Sequence, residues 1–316
     1  MKKIKTSPLF WPIKIKKDCI LVLDETRLPK KTIYLKIKNY RQSVSAIKKM
    51  KTRAVGQVLL VMYTFLFICR RNKNENSKLI KEKLKKAAIS FNSARPTLSF
   101  KYLTEMVMAW SENISELEQK ITGFLEMLKN KRMQQAEAMA KIIKDQDVIL
   151  THCNLSGLIP LIGKFCYKED KAITFYVTET RPFFQGLKLT AWELQREGFD
   201  VTSICDNMVA QVMKEGKIDK VIVGADNLAK NGDIANKIGT YQIALLANKF
   251  KIPFYVICPP ESSAKSGKDI KIEIRPDKEL FKIGSKTIAP SGLKGYYPAF
   301  DITPNNLITK HIYMEV

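Results

Sequence analysis

The sequence predicts an α/β protein in two parts. Residues 1–144 form short strands followed by a helical amino-terminal domain, and residues 145–316 form a Rossmann-like parallel-sheet domain. Three observations carry this. Apolar runs of strand character lie before residue 40. From Tyr40 to about Ala140 the apolar residues recur at helical spacing. From Asp147 onward short β-branched runs alternate with helical stretches, which is the signature of a parallel sheet covered on both faces.

The elements follow in order. Residues 8–37 read as short strands: Cys19-Ile-Leu-Val-Leu23 is one apolar run, and Ile33-Tyr-Leu-Lys-Ile37 alternates. Asp24 to Pro29 is the turn between them. Helical spacing predicts helices near 41–51, 54–71, 77–92, 97–110 and 115–144. Ser93-Ala-Arg-Pro-Thr97 reads as a loop ending in an N-cap, and the last helix links the two halves. Beyond it, strands are predicted at 148–151, 174–178, 201–204, 221–223 and 254–257. Helices are predicted between them at 156–166, 187–196, 207–215 and 235–250. Residues 270–316 read as shorter strands and an extended tail.

Composition narrows the function. Of 316 residues, 45% are hydrophobic, enough for a sizeable core. The formal net charge of +23 suggests nucleic acid or a membrane surface at first sight. The excess is spread along the chain, however, and its densest run, Lys78 to Lys86, reads as a solvated helix face. No nucleic-acid motif accompanies it. The six cysteines form no CxxC pair or zinc spacing, which fits reduced thiols in a cytoplasmic protein. Ala54 to Cys69 is strongly apolar but shorter than the roughly 20 residues of a membrane span, and Gln57 and Thr64 interrupt it. It is read as a buried helix.

In an open parallel sheet the ligand crevice lies beyond the carboxyl ends of the strands. Here the predicted strands end in His152-Cys153-Asn154, in Glu179 to Gly186, in Asp206-Asn207 and in Asp226. The densest stretch runs from Val221 to Tyr241. Gly224 and Ala225 leave room beside Asp226. Asp233 reads as the N-cap of the helix expected from about Ala235, with Asn236, Lys237 and the first-turn N–H groups able to hold an anion. Cys153, Gln185, Asp226, Asn236 and Lys237 are therefore expected on one crevice. Cys153 stands apart from the other cysteines because a helix is expected just after it, and a helix amino end stabilises a thiolate. Cys19, Cys69, Cys166, Cys205 and Cys258 read as core. His152 is read as a backbone hydrogen-bonding group rather than a catalytic one, and Asp206 as a possible cap for the next helix.

At these residues the chain resembles the methylthioribose-1-phosphate isomerase family, a relative of the ribose-1,5-bisphosphate isomerases and of the regulatory subunits of the eukaryotic initiation-factor exchange factor. The resemblance spans nearly the whole chain. It rests on Leu23-Asp-Glu-Thr-Arg-Leu-Pro29, Ala94-Arg-Pro-Thr97, Thr151-His-Cys-Asn154, Glu179-Thr-Arg-Pro182 with Gln185-Gly186, and Leu189-Thr-Ala-Trp-Glu-Leu194. It continues through Gly224-Ala-Asp226, Asn231-Gly-Asp233, Ala235 to Tyr241 and Pro298-Ala-Phe-Asp-Ile-Thr-Pro304. It implies conversion of an aldose 1-phosphate to a ketose 1-phosphate in methionine salvage. Cys153 and Asp226 match the family's acid–base pair. Arg53, Arg95, Gln185, Asn236 and Lys237 match its phosphate- and sugar-binding residues. It implies no metal or organic cofactor, a sugar phosphate as small-molecule partner, and a homodimer joined through the sugar-binding domain and the tail around Pro298 to Pro304. Ribose 1,5-bisphosphate or another aldose 1-phosphate is the alternative substrate, and a non-catalytic binding relative the alternative role. Two departures stand out. The family's loop Arg-Gly-Ala-Pro-Ala-Ile-Gly is Arg53-Ala-Val-Gly-Gln-Val-Leu59 here, and the segment after Cys153 is shorter.

Overall fold

Three runs near the amino end pair as an antiparallel sheet in the order β1 (Ile13–Ile15), β2 (Ile20–Leu23) and β3 (Tyr34–Ile37). The structure, a computed structural model, describes residues 4–95 and 100–314. Helices follow: α1 (Tyr40–Lys48), α2 (Val55–Arg71), α3 (Ser77–Asn92), α4 (Lys101–Trp110) and α5 (Ile114–Ile142). Asn39 caps α1 by accepting the Gln42 N–H, and Asn76 caps α3 by accepting the Lys78 N–H. The expected N-cap at Thr97 lies outside the described residues.

α2 is the centre of this part. Leu59, Leu60, Val61, Met62 and Phe65 are all fully buried. Phe65, Phe91 and Phe100 stack edge to face, with centroids 5.8 and 6.5 Å apart. The polar interruptions are satisfied internally: the Thr64 hydroxyl donates to the Leu60 carbonyl at 2.6 Å, and Gln57 Nε2 donates to the Thr52 carbonyl at 2.9 Å. Among the described residues no helix is long and apolar enough to cross a membrane. The lysine-rich run is a solvated face, as expected: Ile80, Leu84, Ala87 and Ala88 are buried, while Lys78, Lys85 and Lys86 are exposed.

The chain divides into two compact units, Thr6–Arg132 and Met133–Val316 with Met1–Lys5. The division falls within α5, whereas the sequence reading places it at that helix's end, near residue 144.

The second unit is built on a six-stranded sheet. Its elements are β4 (Val148–Thr151), α6 (Leu158–Lys168), β5 (Thr174–Thr178), α7 (Ala191–Arg196), β6 (Val201–Ile204), α8 (Val209–Lys214) and β7 (Lys220–Gly224). There follow β8 (Asn227–Leu228), β9 (Ile234–Lys237), α9 (Thr240–Lys249), β10 (Phe254–Ile257), β11 (Lys282–Ile283), β12 (Lys286–Thr287), β13 (Phe300–Thr303) and β14 (Lys310–Ile312). The sheet order is β14-β10-β7-β4-β5-β6, with every pairing parallel. Val221, Val223, Phe254 and Val256 pack against Ile243, Ala244 and Ala247 of α9 in one core cluster. At the amino ends of the strands, buried Lys220 and Asp147 pair at 2.6 Å. β14 comes from the predicted extended tail and closes the sheet beside β10.

The expected helix over 235–250 is a strand and a shorter helix. Ile234 to Lys237 pairs antiparallel with β8 on one side and with β13 on the other. α9 starts only at Thr240, after Gly239 at φ 103°. The pairing partner that decides this lies more than sixty residues downstream, where local periodicity cannot see it. Asp233 is accordingly not a helix cap. Its carboxylate accepts the N–H groups of Gly267 at 2.9 Å and Asn305 at 3.0 Å, pinning two distant segments.

In the amino-terminal unit the residue just before α2 is strained. Ala54 takes φ 42° and ψ −121°, a conformation that a side chain with a Cβ rarely adopts. The residue is exposed, so glycine would lose almost no packing there. Ala54→Gly is therefore expected to stabilise the protein by about 1 kcal/mol. Urea unfolding reads this directly, and an unchanged or lower midpoint would contradict the strain.

Candidate active site

The strand order reverses between β4 and β7. β5 and β6 lie to one side of β4, and β10 and β14 lie beyond β7. A reversal of this kind opens a crevice at the carboxyl ends. Cys153 leaves β4 and Asp226 leaves β7, so the two flank the reversal.

Cys153 is half-buried in a tight turn with φ 66°. Its N–H donates to Thr180 Oγ1 at 3.0 Å, and its carbonyl accepts from Thr190 Oγ1 at 2.5 Å. Asn154 braces the same turn, donating to Thr190 Oγ1 at 3.0 Å and to Glu193 at 2.8 Å, and accepting the Ser156 N–H at 2.9 Å. The helix expected directly after Cys153 begins only at Leu158, behind Gly157. The thiol is thus placed by a side-chain-braced turn and not by a helix end. Of the cysteines read as core, Cys19, Cys166 and Cys258 are buried, while Cys69 and Cys205 are only partly so; burial pushes the Cys69 and Cys258 thiols up to about 12 and Cys166 up to about 11.

His152 hydrogen-bonds the backbone, as the sequence reading has it. Its ring is buried, with Nε2 2.9 Å from the Ile238 carbonyl and Nδ1 2.6 Å from Thr178 Oγ1. A carbonyl can only accept, so Nε2 carries the proton and Thr178 donates to Nδ1. Burial holds the imidazole below its usual pKa, against the nearby Asp206 carboxylate. The chain Ile238–His152–Thr178 ties β9 to the tips of β4 and β5.

The loop after β5 carries Gln185. Asp206 shapes it: the carboxylate accepts the N–H groups of Thr180 at 2.8 Å and Arg181 at 2.7 Å. Asp206 thus holds this loop, and the short helix that follows it has no side-chain cap. Gln185 is buried, and its Oε1 has no hydrogen-bond partner among the described residues. Gly186 packs so tightly on Thr178 that any Cβ would collide with the Thr178 carbonyl oxygen.

Asp226 is exposed, and its N–H donates to the Ala235 carbonyl at 2.8 Å. That bond brings β9, with Asn236 and Lys237, to the tip of β7. Asn236 Nδ2 donates to Thr240 Oγ1 at 3.0 Å. The Lys237 ammonium sits 5.0 Å from the centre of the Phe300 ring. The sequence reading offers the helix amino end here as an anion site. Instead the Asp301 carboxylate occupies it, accepting from Gly239 at 2.7 Å and Tyr241 at 3.1 Å. Hydrogen bonds thus tie the Cys153 turn to the loop that carries Gln185, and the Asp226 tip to the strand that carries Asn236 and Lys237, while the Gly239 and Tyr241 amides are already engaged.

Arg53 and Arg95 belong to the amino-terminal unit, where Gln57 links Arg95 to Thr52, the residue before Arg53. Arg95 Nη1 donates to Gln57 Oε1 at 3.3 Å, and the Gln57 amide holds the Thr52 carbonyl. Beneath Arg53 lies Glu25, buried and accepting from Thr52 Oγ1 at 2.7 Å and from the Arg53 N–H at 3.1 Å. Burial pushes this carboxyl up, with Arg53 opposing. Asp24 accepts from Lys51 at 2.9 Å. The Asp24-Glu25 pair thus supports residues 51–53. Sequence reasoning singled out that motif without its task, and missed Gln57, Thr180, Thr190 and Asp301, whose partners are distant in sequence.

With this geometry in place, relatives can be compared. A family model described as the initiation factor 2 subunit family matches residues 54–313. The chain belongs to that family. Within it, the chain is 35% identical to the methylthioribose-1-phosphate isomerase of Fervidobacterium nodosum, over 97% of this chain and 93% of the relative. Among solved structures, 5-methylthioribose 1-phosphate isomerase from Pyrococcus horikoshii OT3 aligns with a TM-score of 0.86 at 28% identity, covering 99% of this chain and 94% of that one. Translation initiation factor eIF-2B, subunit delta, from A. fulgidus aligns with a TM-score of 0.84 at 34% identity, covering 96% and 94%. The resemblance seen in the sequence is thus the chain's family.

Asp301 makes the family crevice pH-sensitive in its stability. Burial raises its carboxyl to about 6, partly offset by the Gly239 and Tyr241 N–H groups and by Lys237. Between about pH 4 and 6 the folded protein therefore keeps a proton that the unfolded chain has lost. Stability from this group is highest below pH 4 and falls as pH rises through 6. Relative to Asp301→Asn, the natural protein should lose about 2 kcal/mol between pH 4.5 and pH 7.5. Urea titrations at the two pH values test this, and a pH-independent difference would refute it.

Proposed function

We propose that this chain is an aldose–ketose isomerase converting 5-methylthioribose 1-phosphate to 5-methylthioribulose 1-phosphate in methionine salvage. The observation that carries it is the pair Cys153 and Asp226 at neighbouring strand tips on either side of the strand-order reversal, in a chain 35% identical to a relative of that name.

The phosphate on C1 blocks ordinary ring opening to a free aldehyde, so the ring C1–O bond must break as hydrogen moves from C2 to C1. The ring oxygen gains a hydrogen, the C2 hydroxyl loses one, and C2 becomes the ketone. The reaction is redox-neutral overall and needs groups that exchange protons at two places. Asp226 is assigned to the ring oxygen or a sugar hydroxyl, and Cys153 to transfer between C2 and C1. Gln185, Asn236 and Lys237 are assigned to the sugar hydroxyls and phosphate. Arg53 and Arg95 are assigned to the phosphate on the family resemblance. An ammonium and guanidinium groups suit a dianionic ligand.

Cys153→Ser and Asp226→Asn should each lower turnover by orders of magnitude while leaving the unfolding midpoint near that of the natural protein. Near-normal turnover in either variant removes that residue from the chemistry. A second reading draws on the 34% identity to the initiation-factor subunit: a sugar-phosphate-binding subunit without turnover. Binding of 5-methylthioribose 1-phosphate with no ketose formed, and no turnover of ribose 1,5-bisphosphate, would favour it.

The proposal includes a cytoplasmic homodimer. Ile274, Ile283, Ile288, Leu293 and Tyr296 are all exposed in the segment leading to the tail, more apolar surface than a solvated loop needs. Light scattering at micromolar concentration should give twice the chain mass of 36.1 kDa. Leu293→Glu combined with Tyr296→Glu should shift it toward the monomer, and a monomeric natural protein would refute the dimer.

A further inference from the structure

A buried phenol packs against the loop that carries Gln185, and its hydroxyl is unpaired among the described residues. Tyr297 is only 2% exposed. Its backbone is fixed by the Arg275 N–H, which donates to its carbonyl at 2.8 Å, and by the adjoining bridge of Pro298 with Ile274. Its ring packs on Phe183, centroids 6.5 Å apart, in the loop that carries Gln185. Its hydroxyl is buried and has no hydrogen-bond partner among the described residues. An unpaired buried hydroxyl is costly, and phenylalanine would fill the same space without that cost.

The surroundings say what the hydroxyl can meet. The ionisable groups in electrostatic reach are Arg275, Glu279, Cys153 and Glu273. Arg275 already engages both glutamates, at 2.9 Å to Glu273 and 2.6 Å to Glu279. Cys153 is the one of these groups that lies at a strand tip of the crevice, and Asp226 is not in the set. Burial pushes the phenol above its usual range, so the hydroxyl keeps its proton at neutral pH and can donate.

The geometry points to Tyr297 as a further catalytic residue, whose hydroxyl donates a hydrogen bond to the C2 oxygen of the sugar phosphate beside Cys153. The assignment rests on the isomerase reading above. C2 is the carbon on which Cys153 is assigned to act, and its oxygen changes from hydroxyl to carbonyl in the reaction. A fixed donor in a water-poor setting favours the charge that builds on that oxygen. Gln185 Oε1, also buried and unpartnered among the described residues, supplies an acceptor on the same loop that Tyr297 packs against.

Tyr297→Phe keeps the ring and removes only the donor. Its unfolding midpoint should match or exceed that of the natural protein, since the unpaired hydroxyl is gone. Its kcat for 5-methylthioribose 1-phosphate should fall about tenfold to hundredfold or more. Binding is read separately, by the concentration of the sugar phosphate that half-protects Cys153 from iodoacetamide, followed by peptide mass. That concentration should rise roughly two- to tenfold. A purely structural role would lower the midpoint and not kcat alone. If the natural protein turns over the substrate and the variant matches it in kcat and half-protection, the Tyr297 assignment falls and the isomerase reading stands. If the natural protein is protected but makes no ketose, the isomerase reading falls; a raised half-protection in the variant then supports the contact, and an unchanged one overturns it. Absence of both protection and turnover in the natural protein overturns both.

Discussion

Between β4 and β7 the connections leave in opposite directions, and the carboxyl edge of the sheet is arranged around that gap. No helix connection covers the space between two strands whose crossovers diverge, so the polar side chains at those tips can reach a ligand. The same reversal explains why Cys153 and Asp226, far apart in sequence, sit on adjacent strands. It also explains why the residues around them are so heavily braced. A turn that ends a buried strand leaves amides and carbonyls to satisfy, and Thr180, Thr190 and Asn154 satisfy them around Cys153.

The bracing also holds unusual backbone in place. Cys153, Ser156, Thr180 and Phe184 all have positive φ. Such conformations persist only where surrounding contacts over-determine them. Here the contacts are short and directional: Asp206 grips two successive amides of the loop, and His152 links three strand ends through a single tautomer. Ala54 is the contrast. It has positive φ too, but no side-chain hydrogen bond caps the helix it precedes. Glycine would take this conformation at little cost, so Ala54 holds the loop's shape at the expense of strain.

Most of the fold was legible because its signals are local. Alternating β-branched runs marked β4, β5, β6, β7 and β10, and helical spacing marked α1 to α5 within a few residues. What was not legible depends on partners far along the chain. Ile234-Ala-Asn-Lys237 has no strong local strand signal, and becomes a strand because β8 and β13 enclose it. Asp301 takes the amino end of α9 from the same downstream segment. The candidate site followed the same rule. Cys153, Gln185, Asp226, Asn236 and Lys237 were legible as polar residues at strand tips and as motif matches. Thr180, Gln57 and Tyr297 were not, because a threonine, a glutamine or a tyrosine announces nothing until its neighbours are known.

The two proposed acid–base groups stand in different surroundings, and the difference suits their proposed tasks. Asp226 is exposed, so its carboxylate can exchange protons with water and with a sugar oxygen at little desolvation cost. Cys153 is half-buried, and its N–H is held by Thr180 of the loop that carries Gln185. Hydrogen moving between C2 and C1 must not be lost to solvent on the way, and a half-buried group beside fixed donors and acceptors limits that loss. Exchanging the two side chains would put the carboxylate in the drier place, where burial raises its pKa, and the thiol in the wetter one, where its usual pKa leaves it mostly protonated at neutral pH. The order in which the chain supplies them, thiol after β4 and carboxylate after β7, is therefore a chemical choice as well as a topological one.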